Sequence, residues 1–444
     1  MSKSTTFRIA ILVAGALAAS GCSIFNKGKR PSTPVLGQRI AVLTNEGDAA
    51  IDPATAALPM TLPAQVENSD WAQSGGDADK SVGNLALGTA LANAFTVQAG
   101  HGSNVMMRLA AAPIVAKGRV YTIDSLGAVR SFDARTGAMY WASQTPDDKG
   151  NERALYGGGI AYDNGKIYAT NGLGYVSALS EETGGIIWKV RPGGPLRGAP
   201  SVANGSLYVM SQDNQIYSLN EDTGQTNWSQ TAALEIAGVF GSASPAVGQG
   251  TVVAGFSSGE LNAYRYENGR QVWQDTLQRT SISTSVSSLS DIDADPVIDS
   301  GQVFAIGQGG RMVALDLVTG QRQWEINIAG IATPWVAGDW LFVITDDAKL
   351  ICVSRQNGHV RWINQLPQFH KAKSKKGEID YHGPILAGDR LILTGSNGVL
   401  VNIDPVTGSF QSQTNVGAGI SLPPIVADRT LYVYDDSGKL HAFR

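Results

Sequence analysis

Asp133-Ala-Arg-Thr136-Gly137-Ala-Met-Tyr-Trp141 is the stretch on which the fold is read. A Thr-Gly or Asn-Gly pair recurs at Thr136-Gly137, Thr183-Gly184, Thr223-Gly224, Asn268-Gly269, Thr319-Gly320, Asn357-Gly358 and Thr407-Gly408, about 45 residues apart. A tryptophan follows five residues after the Thr or Asn in six of these units, at Trp141, Trp188, Trp228, Trp273, Trp324 and Trp362, and Ser412 takes its place in the seventh. Glycine supplies the positive φ that a tight hairpin turn needs. A tryptophan at a fixed step into the next strand always points to the same face, so it can bury its ring against the neighbouring unit.

Upstream of Trp141, the runs Ala112-Pro113-Ile-Val, Gly118-Arg-Val-Tyr121 and Gly127-Ala-Val-Arg-Ser-Phe132 are short, β-branched or alternating, and separated by turn residues. Each unit therefore reads as four short strands. An eighth unit begins at Pro423-Pro424, continues through Thr430–Tyr434 and Gly438–Phe443, and lacks its fourth strand. Isolated four-stranded sheets leave both faces uncovered, whereas packing them around an axis covers them. The expected fold is all-β: an eight-bladed β-propeller of four-stranded blades over residues 67–444, the last blade closed by an N-terminal strand. The segment around Trp71, which carries a tryptophan with no repeat before it, is expected to be that strand.

Composition agrees with this reading. The chain has 444 residues, 52 of them Gly, with 43% hydrophobic and only 16% charged residues. That excludes a disordered chain, and two cysteines exclude a disulfide scaffold. A net charge of −4 gives no global attraction for nucleic acid.

Lys3 and Arg8 precede an apolar run, Ile9–Ala19, too short to span a bilayer. Residues 1–21 read as a signal peptide. The run Ala19-Ser20-Gly21-Cys22 resembles the lipobox of bacterial lipoproteins, which implies acylation of Cys22 and a membrane-anchored mature protein. Residues 22–66, rich in Pro, Ala and Thr, read as the lipidated N-terminus and a linker. Cys352, inside an apolar strand-like run, reads as a packed hydrophobe.

The pattern Asp-x-x-Thr-Gly-x-x-x-x-Trp resembles the repeat of the pyrroloquinoline-quinone propeller superfamily. That superfamily includes quinoprotein dehydrogenases and the BamB family of lipoproteins in the outer-membrane β-barrel assembly complex. The resemblance to the BamB family covers the lipobox and essentially all of 67–444. Leu289-Ser-Asp-Ile-Asp293, followed by Pro296-Val297, resembles a loop of that family. The resemblance implies that this loop, with Leu289, Asp291 and Asp293, and the loop one blade earlier, with Val239 and Phe240, contact the POTRA domains of BamA. At the earlier loop the family has Leu-x-Leu-Arg, and Phe240 stands here in place of Arg. The implied role is a scaffold at the periplasmic face of the outer membrane, acting with BamA and other assembly subunits in inserting outer-membrane proteins. Unfolded clients could add to exposed strand edges.

Enzyme readings find little in the sequence. The alternatives are a scaffold of another envelope complex and a quinone-dependent oxidoreductase of the superfamily, which commonly carries adjacent cysteines that this chain lacks. No cofactor is expected. Gly255-Phe-Ser-Ser-Gly259 matches a nucleophile elbow, but a strand follows it where that motif needs a helix. Asp291, Asp293 and Asp295 open like a calcium-binding loop, but Pro296 and Gln302 occupy the positions that need Gly and Glu. The five histidines are scattered. Lys371-Ala-Lys-Ser-Lys-Lys376 is the one charge run, read as a solvated loop or a contact for anionic headgroups or a partner.

Overall fold

The computed structural model describes residues 49–148, 151, 154–234, 243–277 and 290–444. They form eight antiparallel four-stranded sheets arranged as the blades of a propeller. Blade 1 comprises Ile114–Ala116, Arg119–Ile123, Ala128–Asp133 and Met139–Gln144. Blades 2 to 7 follow over 160–190, 196–231, 246–276, 297–326, 335–365 and 381–415. Blade 8 combines Ile425–Ala427, Thr430–Tyr434 and Lys439–Phe443 with Asn93–Gln98. In each blade the middle two strands are almost wholly buried, and the fourth strand faces outward.

The repeated tryptophan joins one blade to the next. Its indole N–H donates to a backbone carbonyl of the following blade: Trp141 to Glu181, Trp188 to Glu221, Trp228 to Tyr266, Trp273 to Leu317, Trp324 to Arg355 and Trp362 to Pro405, all at 2.8–3.1 Å. Each ring lies over the turn glycine of that next blade. At Gly269, whose φ is +71°, a Cβ would sit 2.6 Å from the Trp228 ring. The glycine thus serves the turn and also clears space for the neighbour's indole.

The same geometry explains the exception at Ser412. Blade 8 takes its fourth strand from Asn93–Gln98, so no turn joins its third and fourth strands and no glycine awaits a ring from blade 7. At the junction of blades 8 and 1, Phe95 and Val97 cover Gly137 instead; a Cβ there would lie 2.7 Å from Phe95.

The closing strand is therefore Asn93–Gln98, which pairs antiparallel with Lys439–Phe443, and the expectation that Trp71 supplies it is corrected. Trp71 lies in a girdle, residues 68–88, that visits the innermost strands in order. The N–H of Asp428 in blade 8 donates to Asn68 O at 2.7 Å, and Trp71 exchanges two backbone bonds with Val115 of blade 1. Tyr162 of blade 2 donates to Ala72 O, the Gln73 side chain pairs with the Val202 backbone of blade 3, and Val247 and Ile298 of blades 4 and 5 donate to Ala78 O and Asp79 O. The Trp335 indole of blade 6 donates to Gly83 O at 2.9 Å, and Leu85 bonds to Leu386 of blade 7. Inner strands have a free edge towards the axis, and buried backbone groups there must find partners. The girdle supplies them, which is why Trp71 is drawn inward rather than to the outer edge of blade 8.

Residues 49–66, within the expected linker, also pack on the ring. Ile51 bridges Val360 on the outer strand of blade 6, and a helical turn, Pro53–Ala56, follows with Asp52 as its N-cap. Cys352 is fully buried in the third strand of blade 6. Gly255–Gly259 is the hairpin between two strands of blade 4, with no helix after it.

Candidate functional site

Antiparallel order places two sets of connections at one end of the ring: the turns between second and third strands, and the links from each fourth strand to the next blade. The acidic segment belongs to the link between blades 4 and 5. Ile292 is fully buried and Ala294 nearly so, while Asp293 and Asp295 alternate with them and face the central cavity. This cavity has a volume of about 450 Å³; the girdle residues Trp71, Gln73, Ser74 and Lys80 line it together with Arg108, Asp380 and His382.

Lys80 is the hub of the polar lining. Its Nζ donates to Ser74 O at 2.7 Å and to Ser201 Oγ at 3.1 Å. Asp295 accepts from Ser74 Oγ and from the Ser244 N–H, both at 2.6 Å. Burial pushes the Lys80 ammonium below its ordinary pKa, opposed by Asp295, Asp77 and Asp79. Burial also raises the Asp295 carboxyl, opposed by Lys80. Asp293 pairs with Arg197 of blade 3 at 3.0 Å, yet burial still pushes its carboxyl up to about 7, with Arg197 opposing the rise and Asp291 adding to it. His382 is held below the usual imidazole range by burial, against the pull of Asp380 and Asp436.

These positions change the reading of the candidate residues. Asp291 is fully buried and Asp293 is 8% exposed. Asp291 O accepts the Gln308 N–H at 2.9 Å, and Ile292 N donates to Phe256 O. The two carboxylates stand at the foot of the link between blades 4 and 5 and are not displayed to solvent. Cys22, Val239, Phe240 and Leu289 lie outside the described residues. Lys80, Arg197 and Asp295 were not singled out in the sequence as part of this network; a single lysine far from the acidic loop gives no signal of burial, although the two-residue spacing of Asp291, Asp293 and Asp295 does signal a shared face.

The lining does not suit the calcium-bound quinone of dehydrogenase propellers. Two of the cavity carboxylates already answer to cations: Asp293 pairs with Arg197, and Asp295 feels the charge of Lys80. Among the described residues no three His, Cys, Asp or Glu side chains converge as metal ligands. The arrangement holds the girdle against blades 3, 4 and 5.

Comparison with known proteins follows the same line. The family model for outer membrane protein assembly factor BamB matches residues 125–364. BamB of Escherichia coli (strain K12) is 26% identical over 334 residues, covering 74% of this chain and 83% of that one. BamB of Yersinia pestis is 26% identical over 329 residues, covering 73% and 81%. Among solved structures, BamB from Moraxella catarrhalis superposes with a TM-score of 0.67 at 17% identity, over 80% of this chain and all of that one. Quinohemoprotein alcohol dehydrogenase from Comamonas testosteroni gives a TM-score of 0.64 at 14% identity, over 84% and 80%. Both structural likenesses are likenesses of fold.

Proposed function

The chain belongs to the BamB family of outer membrane protein assembly factors, and from that premise we propose a non-enzymatic scaffold that binds the POTRA domains of BamA and assists insertion of outer-membrane proteins. The observation that carries the proposal is the family match across 125–364, which spans both links assigned to partner contact. In this reading acylation of Cys22 holds the protein at the periplasmic face of the outer membrane. Val239, Phe240 and Leu289 make the contact. Asp291 and Asp293 support it indirectly: Arg197 and the neighbouring backbone fix the described foot of the second link. Phe240, in place of the family's Arg, makes the earlier contact apolar. Other assembly subunits and unfolded clients are further partners in the same complex.

The test is a pull-down of the purified protein on immobilised BamA POTRA domains. Retention of the wild type is expected, with at least tenfold weaker retention of the Phe240→Ser, Leu289→Ser double variant, roughly the loss of one to two interface anchors. Failure of the wild type to bind would overturn the proposal. The oxidoreductase alternative predicts that pyrroloquinoline quinone with Ca²⁺ gives a bound-cofactor absorbance; none is expected.

A further inference from the structure

The lysine run forms a built hairpin in the link between blades 6 and 7. Phe369–Lys371 and Lys376–Glu378 pair antiparallel across a 3-10 turn, Ala372–Ser374. Its foot is fixed: Ile379 N donates to Gln368 O, the Tyr381 hydroxyl donates to Pro367 O at 3.0 Å, and Leu366, Ile379 and Tyr381 are buried in the core. Its tip is not covered, and every residue from Lys371 to Glu378 is exposed. It displays four lysines against one glutamate, and none of the four has an ion-pair partner among the described residues.

A second observation places the chain's N-terminal approach on blade 6. Asp52 N donates to Val360 O at 2.9 Å, the Asp52 carboxylate meets His359 Nδ1 at 3.2 Å, and the Arg361 guanidinium donates to Thr55 O and Leu58 O. The outer strand of blade 6, Val360–Gln365, thus begins beside the N-terminal segment and runs into the hairpin. Six residues of strand separate the two features, ~20 Å.

We propose that the Lys371–Lys376 hairpin is a membrane-docking element that binds the anionic headgroups of a lipid surface, with the flank of blade 6 turned towards the bilayer. This rests on the proposed acylation of Cys22, which holds the protein at a membrane, and on the described N-terminal segment lying against the outer strand of blade 6. A fixed hairpin with unpaired lysines suits a fluid anionic surface, since each lysine near the headgroups adds attraction without needing a shaped partner.

The test uses the full chain carrying Cys22→Ser, so that no acyl chain contributes, and phosphatidylcholine vesicles with or without phosphatidylglycerol. Expected is co-sedimentation with the anionic vesicles only, lost in high salt and weakened at least ~10-fold by Lys371→Gln, Lys373→Gln, Lys375→Gln and Lys376→Gln together. An unchanged melting temperature shows that this variant is folded. Equal binding by the variant, or no binding to anionic vesicles, overturns the proposal, and the latter combined with weaker POTRA retention of the variant assigns the hairpin to an acidic protein instead. Failure of the acylation reading is separate and shows as an unmodified Cys22 by mass spectrometry.

Discussion

The junction between Trp228 and Gly269 can be taken apart by a double-mutant cycle. Gly269→Ala meets two obstacles in the wild type. The backbone has φ of +71°, which costs an alanine about 1–2 kcal/mol. The new methyl would also lie 2.6 Å from the Trp228 ring, and relieving such overpacking costs about 1–3 kcal/mol more. Trp228→Ala alone removes a buried ring, its N–H bond to Tyr266 O and its packing between Tyr208 and Tyr264 at centroid distances of 5.9 and 6.0 Å, a loss of about 3–5 kcal/mol. In the double variant the methyl meets no indole, so Gly269→Ala costs only its backbone term. The two losses together should fall short of their sum by about 1–3 kcal/mol. The assay is guanidinium unfolding of the four proteins followed by far-UV circular dichroism, which does not depend on the deleted tryptophan. Additive losses within ~0.5 kcal/mol would refute the argument, and would mean that the turn needs glycine for its dihedral alone.

Three more outcomes can be checked on the same material. Lys80→Met leaves Asp295 buried without its cation and should cost about 3–5 kcal/mol; adding Asp295→Asn should recover much of that in thermal melts. Asp293, with a folded pKa of about 7 against ~3.9 unfolded, keeps a proton in the fold that the unfolded chain has released between those values. Wild type should therefore gain stability relative to Asp293→Asn as pH falls from 7 towards 4, by up to about 1.4 kcal/mol per unit, and a pH-independent difference in urea unfolding would contradict it. Replacing Phe95 and Val97 with serine uncovers Gly137 and should weaken closure of the ring by about 2–3 kcal/mol, measured as a lower denaturant midpoint.

Much of the ring is legible in the sequence because the repeat states a contact twice. The tryptophan marks the face that packs outward to the next blade, and the glycine marks the place that receives it, so counting pairs counts blades. Even Ser412 is informative: it stands where the next blade has no turn to be covered. The closing strand is legible too, since Asn93-Ala-Phe-Thr-Val-Gln98 alternates Phe95 and Val97, but the lone Trp71 is the louder signal and belongs to the girdle. The girdle has no such pattern. Its residues bond in turn to eight different blades, mostly through backbone groups, and a segment held that way has no hydrophobic period to read. Lys80 is hidden for a related reason: a lysine reads as solvent-facing unless its partners are known, and Asp295 and Ser201 lie 215 and 121 residues away. The acidic segment is legible as chemistry, but its depth is not. Its alternation was legible, but which face looks inward depends on Ile292 and Ala294 packing beneath the link.

Partner binding at the end of the ring that carries the links between blades is tested most directly by photo-crosslinking in the cell envelope. A photoreactive residue at position 289, on the link between blades 4 and 5, is compared with one at Glu182, an exposed position in the turn at the opposite end of blade 2. The account predicts an adduct with BamA from position 289 and none from position 182. An adduct from position 182 with none from 289 would contradict it.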